Sequence, residues 1–155
     1  MGRWGWAVVL AAAVAGCSSV QPRHGSVHVK PVAPGALVGT AKKEIGRPYR
    51  YGGTDPQKGF DCSGLVWWSY RQNGSSLPRS AHEQFDAGVS VARGSVRTGD
   101  LVFFHIAGSR PPDHVGIVTK PPLFVHAPST GGRVRENSLD EAYWTQHFFG
   151  ARRID

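Results

Sequence analysis

The chain has 155 residues, 40% of them hydrophobic, and carries 18 Lys and Arg against 11 Asp and Glu for a formal net charge of +7. That composition suits one compact domain with a segment to spare. Two cysteines, Cys17 and Cys62, are too few for a disulfide-stapled scaffold, and no internal repeat is visible.

The spare segment comes first. Arg3 supplies a short positive start, and Trp6 to Val14 form an almost unbroken apolar stretch. It is shorter than the ~20 residues of a membrane span but has the length of a secretory signal core. The stretch ends in Val14-Ala15-Gly16-Cys17, small residues before a cysteine, which resembles the lipobox of bacterial lipoproteins. That resemblance implies a signal peptide over 1–16, acylation of Cys17 as the mature N-terminus, and, with Ser18 following, an outer-membrane anchor facing the periplasm. An ordinary signal peptide with an incidental cysteine is the alternative. Export and acylation leave Cys62 as a lone thiol in an oxidising compartment, where it must be buried or needed. An exported chain meets little nucleic acid, so the basic charge points to an anionic envelope polymer or lipid surface, or simply to a solvated basic exterior.

Residues 17–33 are polar, with three prolines between Gln21 and Pro34 counted inclusively, and read as a flexible tether; His24 and His28 within it read as solvated. The domain is expected over 34–155. Leu37, Ala41 and Ile45 recur every four residues and predict a helix from Ala36 to Ile45, stopped by Gly46 and Pro48. A second helix starts near Cys62 and closes at Gly74. Ser80 followed by Glu83 makes a capping-box pattern that opens a third, Ser80 to Ala87. Strands follow at 99–104, 114–118 and 123–127, with a last one at 147–154. Helices first and strands later give an α+β domain, with helices packed on one antiparallel sheet.

Cys62 sits where a nucleophile would be useful. Asp61 can cap the helix, the first turn offers N–H groups and positive partial charge that lower a thiol pKa, and Gly64 leaves room for a substrate. The same N–H groups can face a developing oxyanion. A thiolate also needs an imidazole, and the domain offers His82, His105, His114, His126 and His147. A three-residue loop in the hairpin would set His114 opposite His126 on one sheet face. A four-residue loop would send them to opposite faces unless a bulge intervenes.

Six blocks in order carry a wider resemblance: G-R-P-Y-R-Y-G-G, G-F-D-C-S-G-L-V, R-S-A-H-E-Q, G-D-L-V-F-F, D-H-V-G-I-V and F-V-H-A-P-S-T-G-G. Together, from Gly46 to Gly132, they resemble the NlpC/P60 family of cell-wall cysteine peptidases. The resemblance implies a papain-like core with Cys62 as nucleophile, His114 as general base and His126 as the third polar residue that orients it. It implies that the Tyr49 hydroxyl helps hold the oxyanion, that Tyr51 is a groove or core residue, and that Asp61 and Ser63 help recognise the substrate, with the capping role of Asp61 open beside this. The implied substrate is the peptide stem of peptidoglycan, cut next to diaminopimelate at the γ-D-glutamyl or the D-alanyl side. No cofactor is called for. The alternatives are a zinc site built from Cys62, His114 and His126, which lacks a close-spaced ligand pair; an inactive wall-binding protein on the same scaffold; and a thiol amidase or acyltransferase acting on another envelope molecule. The loop 105–113 is read as a surface loop that borders the groove or merely covers the domain.

Overall fold

A computed structural model describes residues 1–2, 29–108, 111–130 and 132–155. The expected signal segment from residue 3, the expected acylation site Cys17 and the expected tether as far as residue 28 lie outside the described residues. No described helix is long and apolar enough to cross a membrane.

Helix α1 spans Pro34–Lys43. A proline in its first turn loses no hydrogen bond, and Lys42 and Lys43 in the last turn meet the negative end of the helix dipole. It buries Leu37 and Ala41 but leaves Ile45 beyond its end, 42% exposed. The helix is shorter than its apolar spacing predicts because Glu44 and Ile45 donate to carbonyls three residues back, tightening the last turn. Gly46 N–H then donates to the Val134 carbonyl and draws the chain away.

A small hairpin, β1 (Thr54–Asp55) and β2 (Gly59–Phe60), leads into α2 (Cys62–Gln72), and α3 (Ala81–Asp86) opens with the full Ser80–Glu83 capping box. The rest of the chain runs β3 (Val89–Val91), a 3-10 turn at Arg93–Ser95, β4 (Leu101–Phe104), β5 (His114–Lys120), β6 (Leu123–His126), β7 (Arg135–Ser138), α4 (Ala142–His147) and β8 (Phe148–Arg153). Among the described residues β3 to β8 form one antiparallel sheet in the order β3-β8-β4-β5-β6-β7. The fold is therefore α+β with helices packed on one antiparallel sheet, as the sequence predicts, and the helices cover both faces of that sheet. Leu101, Phe103, Val115, Ile117 and Val125 join Leu37, Ala41, Leu65, Val66 and Tyr70 in the core under α1 and α2. The alternating residues Val102, Phe104, Val118 and Phe124 form a second core with Trp144 of α4. Fully buried side chains of this kind each contribute about 1.5–3 kcal/mol, so both layers hold the sheet in place.

The β5–β6 hairpin decides where the histidines point. Lys120 pairs with Leu123 across Pro121-Pro122, a connection shorter than the three or four residues weighed from sequence. By Val118 and Phe124 the register has shifted by one. The unpaired Thr119 is a bulge, and it restores the even register that a two-residue connection alone would break. Continuing that register sets Gly116 across from His126 and puts His114 on the same face, one diagonal away. A Cβ at Gly116 would stand 2.6 Å from the Phe124 ring, 2.9 Å from the Val125 carbonyl oxygen and 3.2 Å from His126 Cβ, so glycine is what lets β6 lie this close.

Candidate active site

Cys62 is the first residue of α2. Asp61 caps the helix in extended conformation, its Oδ1 accepting from Gly64 N–H at 2.7 Å. Gly64 does not clear space for a substrate: its missing Cβ is replaced by the Gly53 carbonyl, whose oxygen would lie 1.9 Å from one. The glycine lets the Gly52–Gly53 turn lie against the helix start, where Gly52 N–H donates to Asp61 Oδ2 at 2.8 Å and Asp61 N–H donates to the Gly53 carbonyl. The thiol itself donates to the Asp113 carbonyl at 3.8 Å, the residue just before His114. Tyr49, Tyr51, Asp61, Ser63, Arg79 and Pro112 are among the residues that line an open groove of about 530 Å³ around it. Tyr51 is 90% exposed, which makes it a groove residue and not part of the core.

Asp61 and Ser63 share a partner that the sequence reading quoted in its motif but gave no role. Arg79 grips the Asp61 carboxylate with both terminal nitrogens, at 3.0 and 2.7 Å, and donates to Ser63 Oγ at 2.8 Å. The carboxylate oxygens thus already receive donors from Gly52, Ser63, Gly64 and Arg79. Bidentate charge-assisted geometry of this sort fixes the helix start and one wall of the groove.

His114 and His126 meet edge to face, with His114 Nε2 and His126 Nδ1 2.8 Å apart. His126 Nε2 is 2.8 Å from Asn137 Oδ1, and Asn137 Nδ2 donates to the Glu141 carboxylate at 3.0–3.1 Å. Trp144, itself buried, lies over both imidazoles, stacked on His114 and perpendicular to His126, and keeps water from their hydrogen bond. Only His114 Nδ1 is left without a side-chain or backbone partner among the described residues, so it is the ring nitrogen that can exchange a proton with a substrate or thiol. A second cavity of about 460 Å³ is lined by His114 itself, with Arg135, Tyr143 and Trp144 also in its wall.

Burial sets the protonation states. It pushes the Cys62 thiol up to about 11, helped by the negative Asp61 and opposed by the backbone of Val115 and Ser63 and by Arg79. This reverses the expectation of a thiol acidified by its helix start: desolvation and a neighbouring carboxylate outweigh the helix N–H groups. Burial likewise lowers His114 to about 3, with His126 adding to the effect, and lowers His126 to about 4 against the opposing hydrogen bond to Asn137. The resting site therefore holds a neutral thiol and neutral imidazoles. Tyr49 is also raised, by burial first and then by Cys62, Asp61 and Tyr51, so its hydroxyl remains a donor at neutral pH. His114 Nε2 and both nitrogens of His126 are engaged in hydrogen bonds.

A thiol at a helix start, an open groove around it and a buried histidine pair on the neighbouring strands coincide with a family pattern. Residues 46–153 match the model of the NlpC/P60 family. The chain belongs to the NlpC/P60 family. It is 43% identical over 116 residues to the Probable endopeptidase YafL of Escherichia coli K12, covering 73% of this chain and 47% of that protein. It is 48% identical over 107 residues to the Murein DD-endopeptidase MepS/Murein LD-carboxypeptidase of the same organism, covering 68% and 55%. The chain thus spans about half the length of the curated relatives it matches. A crystal structure of an NlpC/P60 family protein from Bacillus cereus ATCC 10987 superposes with a TM-score of 0.73 at 33% identity, over 79% of this chain and 41% of that one.

Within this NlpC/P60 domain the fold brings Cys62, Tyr49, Asp61 and Ser63 to one groove, and pairs His114, the residue after the Asp113 that accepts from the thiol, with His126. Three contributors escaped the sequence reading: Asn137 on the polar edge strand β7, Glu141 before α4, and Trp144 on α4. Arg79 could have been found, since a basic residue shortly before a capping box is a visible feature. Nothing in the local sequence marks the other three.

Proposed function

We propose that this protein is a cell-wall cysteine endopeptidase that hydrolyses peptide bonds in peptidoglycan, in stem peptides or cross-links next to diaminopimelate, through Cys62, His114 and His126. The observation that carries the reading is the 2.8 Å contact between His126 and His114, the first residue of the strand that begins beside the Cys62 thiol, with one imidazole nitrogen left free. One relative is named a murein DD-endopeptidase and murein LD-carboxypeptidase and another a probable endopeptidase, which supports the same substrate class.

In this mechanism the Cys62 sulfur bonds to the scissile carbonyl carbon as the thiol proton passes to His114 Nδ1, and the carbonyl electron pair moves onto oxygen. Because the resting pair is neutral, His114 acts as a general base during attack. The Tyr49 hydroxyl and the Cys62 backbone N–H stabilise the oxyanion. The intermediate collapses, the C–N bond breaks, and the departing amine takes the proton from His114. Water then attacks the thioester, gives a proton to His114, and the thiol leaves with that proton restored.

The cellular setting of this proposal rests on the N-terminal pattern: acylation at Cys17 would hold the enzyme at the outer membrane, facing the periplasm, within a tether's reach of its polymer. Metabolic palmitate labelling that disappears in Cys17→Ala supports the anchor, and labelling that persists sinks it. The catalytic reading is tested by digesting purified sacculi with wild type and with Cys62→Ala and identifying the muropeptides by mass spectrometry. New termini beside diaminopimelate with wild type alone are expected, and the termini name the bond. Sacculi that bind the wild-type protein but release nothing would favour the inactive wall-binding alternative.

A further inference from the structure

We infer that Asn137 and Glu141 are positioning residues that fix which nitrogen of His114 is free to take a proton, acting through His126. The inference rests on the proposed role of His114 as base. It begins at the far end of the chain of hydrogen bonds. The Glu141 carboxylate can only accept, and it receives Ser138 N–H at 2.7 Å and Asn137 Nδ2 at 3.0–3.1 Å. The Asn137 amide must therefore turn its NH2 to Glu141 and its oxygen to the histidines. Arg135 enforces the same orientation independently, because its Nε, which can only donate, lies 3.2 Å from that oxygen.

With Oδ1 as the acceptor, His126 must carry its proton on Nε2, 2.8 Å away. A neutral His126 then presents a bare Nδ1, which accepts from His114 Nε2–H across 2.8 Å. The one lone pair left on His114 is at Nδ1, the nitrogen the reaction requires. Had the amide the opposite orientation, its NH2 would face His126, each proton would shift by one nitrogen, and His114 Nδ1 would be protonated and useless as a base. The strand register makes the relay possible, since His126 pairs with Arg135 and Phe124 with Asn137, so all four side chains share the α4 face of the sheet. Trp144 over both imidazoles removes water as a competing partner.

The test labels the histidines of the full chain with 15N and reads the ring nitrogens by long-range proton–nitrogen NMR, alongside muropeptide hydrolysis. Wild type is expected to show protonated Nε2 and bare Nδ1 on both His114 and His126. Asn137→Leu should mix the His126 tautomers and lower kcat about tenfold with KM unchanged, the loss of roughly one orienting hydrogen bond. The double exchange Asn137→Asp with Glu141→Gln keeps an acceptor toward His126 and supplies an amide donor behind it, and should restore the wild-type nitrogen pattern and kcat. A wild type with Nδ1 protonated, or Asn137→Leu with unchanged spectra and kcat, overturns the inference. The spectra read the tautomers with no turnover, whereas a Cys62→Ala control as active as wild type would refute the catalytic reading itself, so the two failures are separable.

Discussion

Replacing Gly64 with alanine should reverse the usual effect of a glycine-to-alanine change in a helix. In an unobstructed helix alanine gains up to about 1 kcal/mol over glycine. At position 64 the new Cβ would stand 1.9 Å from the Gly53 carbonyl oxygen, where real Cβ atoms stay beyond 3.0 Å. The Gly52–Gly53 turn must then retreat by about 1 Å, an overpacking strain that the neighbouring backbone cannot absorb by rotating a side chain. That movement breaks the Gly52 N–H bond to the Asp61 carboxylate and the Asp61 N–H bond to the Gly53 carbonyl. One charged and one neutral hydrogen bond are together worth roughly 2–4 kcal/mol. Less the helix gain, Gly64→Ala should destabilise by about 2 kcal/mol and lower a urea midpoint by about 1 M. Gly39→Ala is the control, since Gly39 lies within α1 and an added Cβ there meets nothing within 4 Å. Its midpoint should rise. If Gly64→Ala rises with it, the turn does not depend on a bare helix start and this reasoning is wrong.

Three further outcomes follow from the protonation states and the groove. His114 and His126 titrate near 3 and 4 when folded, against about 6.5 in an unfolded chain. The unfolded state therefore binds more protons between about 4 and 6.5, and stability falls as pH drops through that window, by roughly 2 kcal/mol per histidine at pH 5; equal urea midpoints at pH 7.5 and 5 would contradict it. The Cys62 thiol, held up to about 11, should react with iodoacetamide at a rate that climbs roughly tenfold per pH unit from 7 to 9, and a rate already level below pH 8 would mean a preformed thiolate. Tyr49→Phe should lower kcat by about a hundredfold with little change in KM, as the loss of an oxyanion donor does; an unchanged kcat would remove Tyr49 from the mechanism.

The legible parts of this structure are those governed by neighbours in sequence. Asp61 ahead of Cys62 and the Ser80–Glu83 pair each cap a helix through residues two or three positions away, so their patterns survive in the one-dimensional chain. The histidine register is not decidable from sequence, because a two-residue connection and a bulge at Thr119 compensate each other, and neither leaves a signature in composition. Strand β7 reads Arg-Glu-Asn-Ser and carries no apolar alternation, and α4 has only six residues, so Asn137, Glu141 and Trp144 were hidden in what resembles a loop. The state of the thiol is illegible for a different reason. The helix start and the Asp61 charge are both local, but the burial that raises the thiol most depends on how α2 lies against β5.

In the proposed reaction Cys62 bonds covalently to a peptidoglycan carbonyl. Acid quenching within the first turnover on soluble muropeptides, followed by intact-mass analysis and peptide mapping, would trap that bond. An acyl adduct is expected on the peptide that contains Cys62, present in wild type and absent in Cys62→Ala. Turnover with no adduct, or an adduct mapped to another residue, would contradict it.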